Sequence, residues 1–290
     1  MVDITKIEHY VPRFYLKNFA VKKQSKFLIN CFDKSAGRNF LTDIRKIGAE
    51  KHFYDTDNQQ IERSLANFES KCNIVYEKLI RSADLNSLTA DDKTSFAYFV
   101  ATQWLRTRER REGIRDFIKQ LTERLSKENL SPEFETKLKE ANTEPYQKSL
   151  HISQLKDLPI YVNIILRMKW ALFINKTKIP YWTSDNPICM HNKLDLRPHG
   201  NLGLTSKGIE MRFPLNTQIC LFMGDPDMYA ILPTKYELTD EQNIIFANSL
   251  QTICSTRFVF SVEGDFALAE KIISENPELR NPDRKRSSVD

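Results

Sequence analysis

Over residues 59–82 the apolar side chains Ile61, Leu65, Phe68, Cys72, Val75 and Leu79 recur at alternating steps of four and three, which lays one apolar stripe along a long helix. A second helix opens at Thr89, where Asp92 completes a capping box, and its apolar positions carry it to about residue 127. Ser131-Pro132 starts a third, more polar helix, and a fourth runs from near Pro159 to Met168. The pattern then changes to short hydrophobic segments separated by Pro, Gly, Asn and Asp. Residues 170–174, 179–182, 210–213, 219–223 and 229–232 read as strands, with a surface loop over 190–207. A helix capped by Thr239, a strand over 256–262 and a last helix over 266–275 complete the series. Near the start, 26–32 and 38–44 form a hairpin, and His9-Tyr10-Val11 is an extended lead-in to a helix over 13–20 with Pro12 at its first position.

A lone hairpin is too small to be stable, so it is expected to join the C-terminal strands. The chain is thus predicted to be one α+β domain over 1–275, mainly helical, with one small mixed or antiparallel sheet and a helical insertion at about 58–168. Residues 9–16 and 183–187 would then meet in space. The polar tail 276–290, with Arg280, Arg284, Lys285 and Arg286, is expected to be disordered.

Composition narrows the classes. The 290 residues are 41% hydrophobic, enough for a sizeable core. No apolar run approaches the roughly 20 residues that span a bilayer. The first residues lack the basic and apolar regions of a secretory signal, so a cytoplasmic location is expected. Cys31, Cys72, Cys189, Cys220 and Cys254 are scattered among apolar neighbours and read as buried thiols, and no histidine or cysteine spacing fits structural zinc. Eight glycines and no Walker A, G-x-G-x-x-G or G-x-S-x-G pattern set aside Gly-rich nucleotide loops and lipase-like acyl transfer. The net charge of +5 permits a polyanionic partner without requiring one.

Several segments together resemble a bacterial domain-of-unknown-function family, number 4238. They are His9-Tyr10-Val11-Pro12-Arg13-Phe14-Tyr15-Leu16, Cys31-Phe32-Asp33-Lys34, residues 50–54, Glu62 and Glu69, residues 103–107, Thr183-Ser184-Asp185-Asn186-Pro187, Phe213-Pro214-Leu215, Asn248 and Arg257. The resemblance spans nearly the whole chain. It implies a bacterial accessory protein, compatible with defence or toxin roles, and supplies no chemistry. Arg13 stands where the family carries Gln, so it is assigned to binding rather than catalysis.

The two motif segments concentrate the candidate chemistry. His9, in a non-helical position, suits a general acid or base. Asp185 and Glu69 are its carboxylate partners or, together, oxygen ligands for a divalent metal ion. Arg106 would stabilise phosphate charge. Tyr10, Arg13, Tyr15, Gln103, Ser184 and Asn186 would contact the ligand. Each has a structural alternative: Ser-Asp-Asn-Pro is good turn chemistry, Arg106 could pair with Glu62 or Glu69, and the basic run from Arg106 to Arg124 is interleaved with acids that can neutralise it. The leading expectation is a hydrolase, a nuclease or nucleotide-acting toxin, whose partner is nucleic acid or a nucleotide. The alternative is a non-catalytic binding domain. Convergence of His9, Asp185 and Arg106 in one open cleft is the geometric criterion between them.

Overall fold

The computed structural model describes residues 7–54, 60–194 and 202–286; the Glu62 side chain lies outside the described residues. The chain opens with β1 (Ile7–His9), after which Pro12 leads into a single helical turn, α1 (Arg13–Leu16), that tightens to a 3₁₀ turn at Lys17–Phe19. The strands β2 (Val21–Lys23), β3 (Lys26–Asp33) and β4 (Arg38–Asp43) follow as a meander, and β5 (Ala49–Lys51) returns to pair antiparallel with β1, setting His9 opposite Ala49. Gly48 makes this closure possible. Its φ of +62° suits glycine, its carbonyl accepts from the Tyr10 and Val11 amides, and an added Cβ would lie 2.9 Å from that of Val11.

The amphipathic stripe forms α2 (Gln60–Ser82), whose Leu65, Cys72, Val75 and Leu79 are buried. The capping box at Thr89 and Asp92 opens α3 (Ala90–Leu105). The expected single helix to residue 127 is in fact two, because Thr107 adopts extended backbone and caps α4 (Arg108–Leu125). Its hydroxyl also donates to Asn186, so tertiary contact anchors the break. Then come α5 (Pro132–Ala141), α6 (Glu144–Ser153), which the pattern reading missed, and α7 (Leu158–Arg167).

The second half contains β6 (Lys169–Asn175), β7 (Thr183–Ser184), β8 (Cys189–Asn192), β9 (Ile209–Pro214), β10 (Ile219–Gly224), β11 (Lys235–Leu238), α8 (Glu241–Cys254), β12 (Phe258–Ser261) and α9 (Ala267–Glu275). The expected strands at 179–182 and 229–232 are absent; β7 begins one residue after the first, and β11 three after the second. The α+β class holds, but the strands form several sheets rather than one. The β2–β3–β12–β7 sheet, with β4 also on β3, joins the N-terminal meander to the C-terminal half as anticipated. The other large sheet, β11–β6–β10–β9–β8, is separate, and only its β11–β6 pair is parallel.

The tail departs most from expectation. Through Arg286 it is held: the Arg284 guanidinium is buried, donates to the Ser255 carbonyl and pairs with Glu109 at 2.8 Å, and Arg286 pairs with the same carboxylate at 2.9 Å. Composition predicted disorder, but one acid on α4 neutralises two of the tail's cations. Residues 287–290 lie outside the described residues. No helix among the described residues is long and apolar enough to cross a membrane.

Candidate active-site cleft

The two motif segments do meet, through Tyr15. Its hydroxyl donates to the Pro214 carbonyl at 2.8 Å, so its 2.6 Å contact with Thr183 is one in which Thr183 donates. The Thr183–Pro187 loop, however, is built into the interior. The Asp185 carboxylate accepts from three successive backbone amides, Thr256 at 2.8 Å, Arg257 at 2.8 Å and Phe258 at 2.9 Å, and so fixes the entry to β12. Ser184 donates to Gln251 at 2.7 Å, Gln251 donates to the Pro187 carbonyl, and Asn186 donates to the Cys254 carbonyl at 2.9 Å. Burial pushes the Asp185 carboxyl up, against the pull of the amides and of buried Lys34. Asp185 is only 1% exposed.

The open cleft lies on the other side of the N-terminal motif. It has a volume of about 700 Å³ and is lined by His9, Arg13 and Lys17, by Lys26 and Phe27 of β3, by Asp43 and Arg45, and by Glu69, Ser70 and Asn73 of α2. His9 projects here because it ends β1. The α2 residues do so because Glu69 and Asn73 are four apart and share a helix face. The His9 Nε2 and the Asn73 Oδ1 are both buried without a hydrogen-bond partner among the described residues. Burial, helped by the charges of Arg13 and Arg106, lowers His9 to about 4 against a hydrogen bond to the Arg45 backbone, so the imidazole is neutral at pH 7.

Behind the cleft runs a relay of fixed groups. The Gln103 amide donates to the Tyr10 carbonyl at 3.0 Å, Arg106 Nε donates to Gln103 Oε1 at 3.0 Å, and Arg106 Nη1 meets Glu69 at 2.7 Å. Arg106 is 1% exposed and Glu69 22%. The Arg106–Glu69 salt bridge weighed as the structural alternative is therefore present. The basic run after it is likewise engaged: Arg108 and Arg111 reach Glu50 at 3.1 and 2.7 Å.

Several assignments change accordingly. Of the four catalytic candidates, the structure brings His9 and Glu69 to the cleft and leaves Asp185 and Arg106 sealed in the interior. Of the binding candidates only Arg13 lines it. Tyr10, Tyr15, Gln103, Ser184 and Asn186 are buried bracing. Asp185 and Glu69 do not form the expected metal-ligand pair, since the first faces backbone amides and the second faces Arg106, and among the described residues no three His, Cys, Asp or Glu side chains gather to hold a metal. Sequence reasoning overlooked Lys17, Lys26 and Asn73. Asn73 was within reach, one turn from Glu69, whereas Lys26 arrives through the strand pairing of a different segment.

A second interior histidine gives the fold a pH response. His151 contacts the Leu105 carbonyl at 2.9 Å, and burial lowers it from 6.5 to about 4. Because the unfolded chain takes up the proton first, its contribution to stability is complete above about pH 6.5 and is lost as pH falls towards 4. At pH 5 the loss is about 2 kcal/mol, with His9 acting in the same direction. Urea denaturation at pH 7 and 5 checks this: His151→Gln should remove much of the drop, and equal midpoints at both pH values would contradict it.

A family model described as "Protein of unknown function (DUF4238)" matches residues 8–265. No curated protein and no solved structure matches the chain.

Proposed function

We propose that this chain, which belongs to the DUF4238 family, is a hydrolase of phosphate esters, a nuclease or nucleotide-acting enzyme, with His9 as the acid–base residue. The observation that carries the reading is His9 itself, a neutral imidazole in the wall of a cleft whose unpaired charge is positive; its Nε2 is buried in that wall without a partner among the described residues, so a ligand would reach it only after the ring turns towards the cleft. Asp43 is already held by Arg45 at 2.6 Å and Glu69 by Arg106 at 2.7 Å. That leaves Arg13, Lys17 and Lys26 to attract an anion. An imidazole near pKa 4 is a weak base, but a phosphate beside it supplies the opposite charge that raises its pKa towards neutrality, so binding would tune the base it needs. Arg13 takes the charge-stabilising role first given to Arg106, and Glu69 faces the same space with its orientation set by the buried guanidinium.

The test is hydrolysis of bis(p-nitrophenyl) phosphate and of a nucleotide panel, with added magnesium and with chelator. His9→Ala should lower kcat/KM by at least about a hundredfold while leaving the circular dichroism spectrum intact. Retention within about twofold, or no turnover by the wild type under either condition, rejects the assignment. The convergence of His9, Asp185 and Arg106 in one open cleft is not met, because Asp185 and Arg106 are sealed; the hydrolase reading therefore rests on His9 and the cleft cations alone, and the same sealing favours a second reading, a non-catalytic domain whose cleft only binds phosphate-bearing ligands. It predicts saturable binding of the same nucleotides with no turnover.

A further inference from the structure

Residues 13–26 contain five basic side chains, Arg13, Lys17, Lys22, Lys23 and Lys26, and no Asp or Glu, so this short stretch carries as much charge as the formal +5 of the whole chain. The rest of the sequence is balanced, and much of its arginine is spent on interior ion pairs such as Arg106 with Glu69 and Arg284 with Glu109. The stretch folds as α1 and its 3₁₀ extension, then the β2–β3 hairpin. In that hairpin Lys23 lies directly across from Lys26, and Lys22 across from Phe27. Like charges set opposite each other on paired strands are destabilising unless something negative lies over them. Lys22, Lys23 and Lys26 are all exposed. Half-buried Phe27 lines the cleft beside them, with the Lys17 ammonium 5.1 Å from its ring centroid.

We infer that this basic hairpin carries a single strand of nucleic acid into the His9 cleft, so that the substrate is a polymer rather than a free nucleotide. This rests on the phosphate-ester reading of the cleft. Cations set beside an accessible aromatic are how proteins track single strands: the cations follow the phosphates, and a base stacks on the ring; here the half-buried Phe27 has the Lys17 ammonium over its ring, so a base would have to displace that ammonium or use the ring's open edge. A mononucleotide would use Arg13, Lys17, Lys26 and His9 and would leave Lys22 and Lys23, on the facing strand outside the cleft, with nothing to bind. Lysines on an edge strand such as β2 can instead serve to block pairing with another chain, and that role predicts aggregation rather than lost binding when they are neutralised.

Fluorescence anisotropy decides, using fluorescein-labelled oligo(U) and oligo(dT) of roughly 15 nucleotides. The wild type should bind in a salt-dependent way. The double variant Lys22→Gln, Lys23→Gln, which leaves every cleft residue in place, should bind at least about fivefold more weakly, with a log–log salt slope shallower by about 1. Wild-type affinity in the double variant overturns the inference, as does a wild type that binds oligonucleotide no better than UMP. Light scattering covers the edge-strand role, because a double variant that aggregates but binds normally per soluble molecule also overturns it. The two readings separate cleanly. Lysine-dependent strand binding without diester hydrolysis rejects the catalytic role of His9 and keeps the strand surface; His9-dependent hydrolysis with unchanged oligonucleotide affinity in the double variant does the reverse.

Discussion

Asp185→Ala is expected to destabilise the protein by about 4 kcal/mol, most of what a marginal domain possesses. One carboxylate satisfies three consecutive amides at the entry to β12. Hydrogen bonds to a charged acceptor contribute roughly 1.5–3 kcal/mol each, though less than additively when they share that acceptor. Its removal also takes an anion away from Lys34, whose buried ammonium donates to the Thr252 and Ser255 carbonyls at 2.8 Å each and is pushed down by burial to about 8. Asp185→Asn keeps one acceptor oxygen and should cost about half as much. Urea denaturation at pH 7 reads both. An Asp185→Ala protein as stable as wild type would show that the amides find other partners. A stable but inactive one would return Asp185 to the chemistry, against its sealed position.

Arg106→Ala is expected to cost about 3–5 kcal/mol, because it empties the space of a large buried side chain, frees Gln103 Oε1 and leaves Glu69 without its cation. Arg106→Lys should recover little, since a single ammonium cannot span Gln103 and Glu69 as the planar fork does. A double-mutant cycle with Glu69→Ala should give a coupling energy of at least about 1 kcal/mol. Coupling near zero would break the relay proposed behind the cleft. The same cycle scored on diester hydrolysis separates positioning from chemistry: if Arg106 acts through Glu69, removing it from a Glu69→Ala background has little further effect on kcat.

Features that depend on neighbours in sequence were legible. The stripe of α2, the capping box of α3, the β3–β4 hairpin and the helix α9 each follow from side-chain spacing, which local backbone geometry obeys wherever the segment lies. The break at Arg106–Thr107 was hidden because 89–127 is helix-compatible throughout, and it is a hydrogen bond to Asn186, 79 residues away, that anchors the cap there. The ordered tail was hidden for a similar reason. Its arginines look solvated until Glu109, 175 residues from Arg284, is brought beside them.

The opening histidine motif and the Thr-Ser-Asp-Asn-Pro loop were rightly paired as neighbours and wrongly merged into one site. By itself the sequence determined that His9 stands in an extended lead-in before a helical segment and that Glu69 lies on the flank of an amphipathic helix. Only the tertiary structure decided which polar groups were already satisfied. Polar side chains of one type brace the fold or stay available according to whether their hydrogen bonds are taken by the protein: three backbone amides claim Asp185 and a carboxylate claims Arg106, while the Nε2 of His9, buried in the cleft wall, has no partner among the described residues.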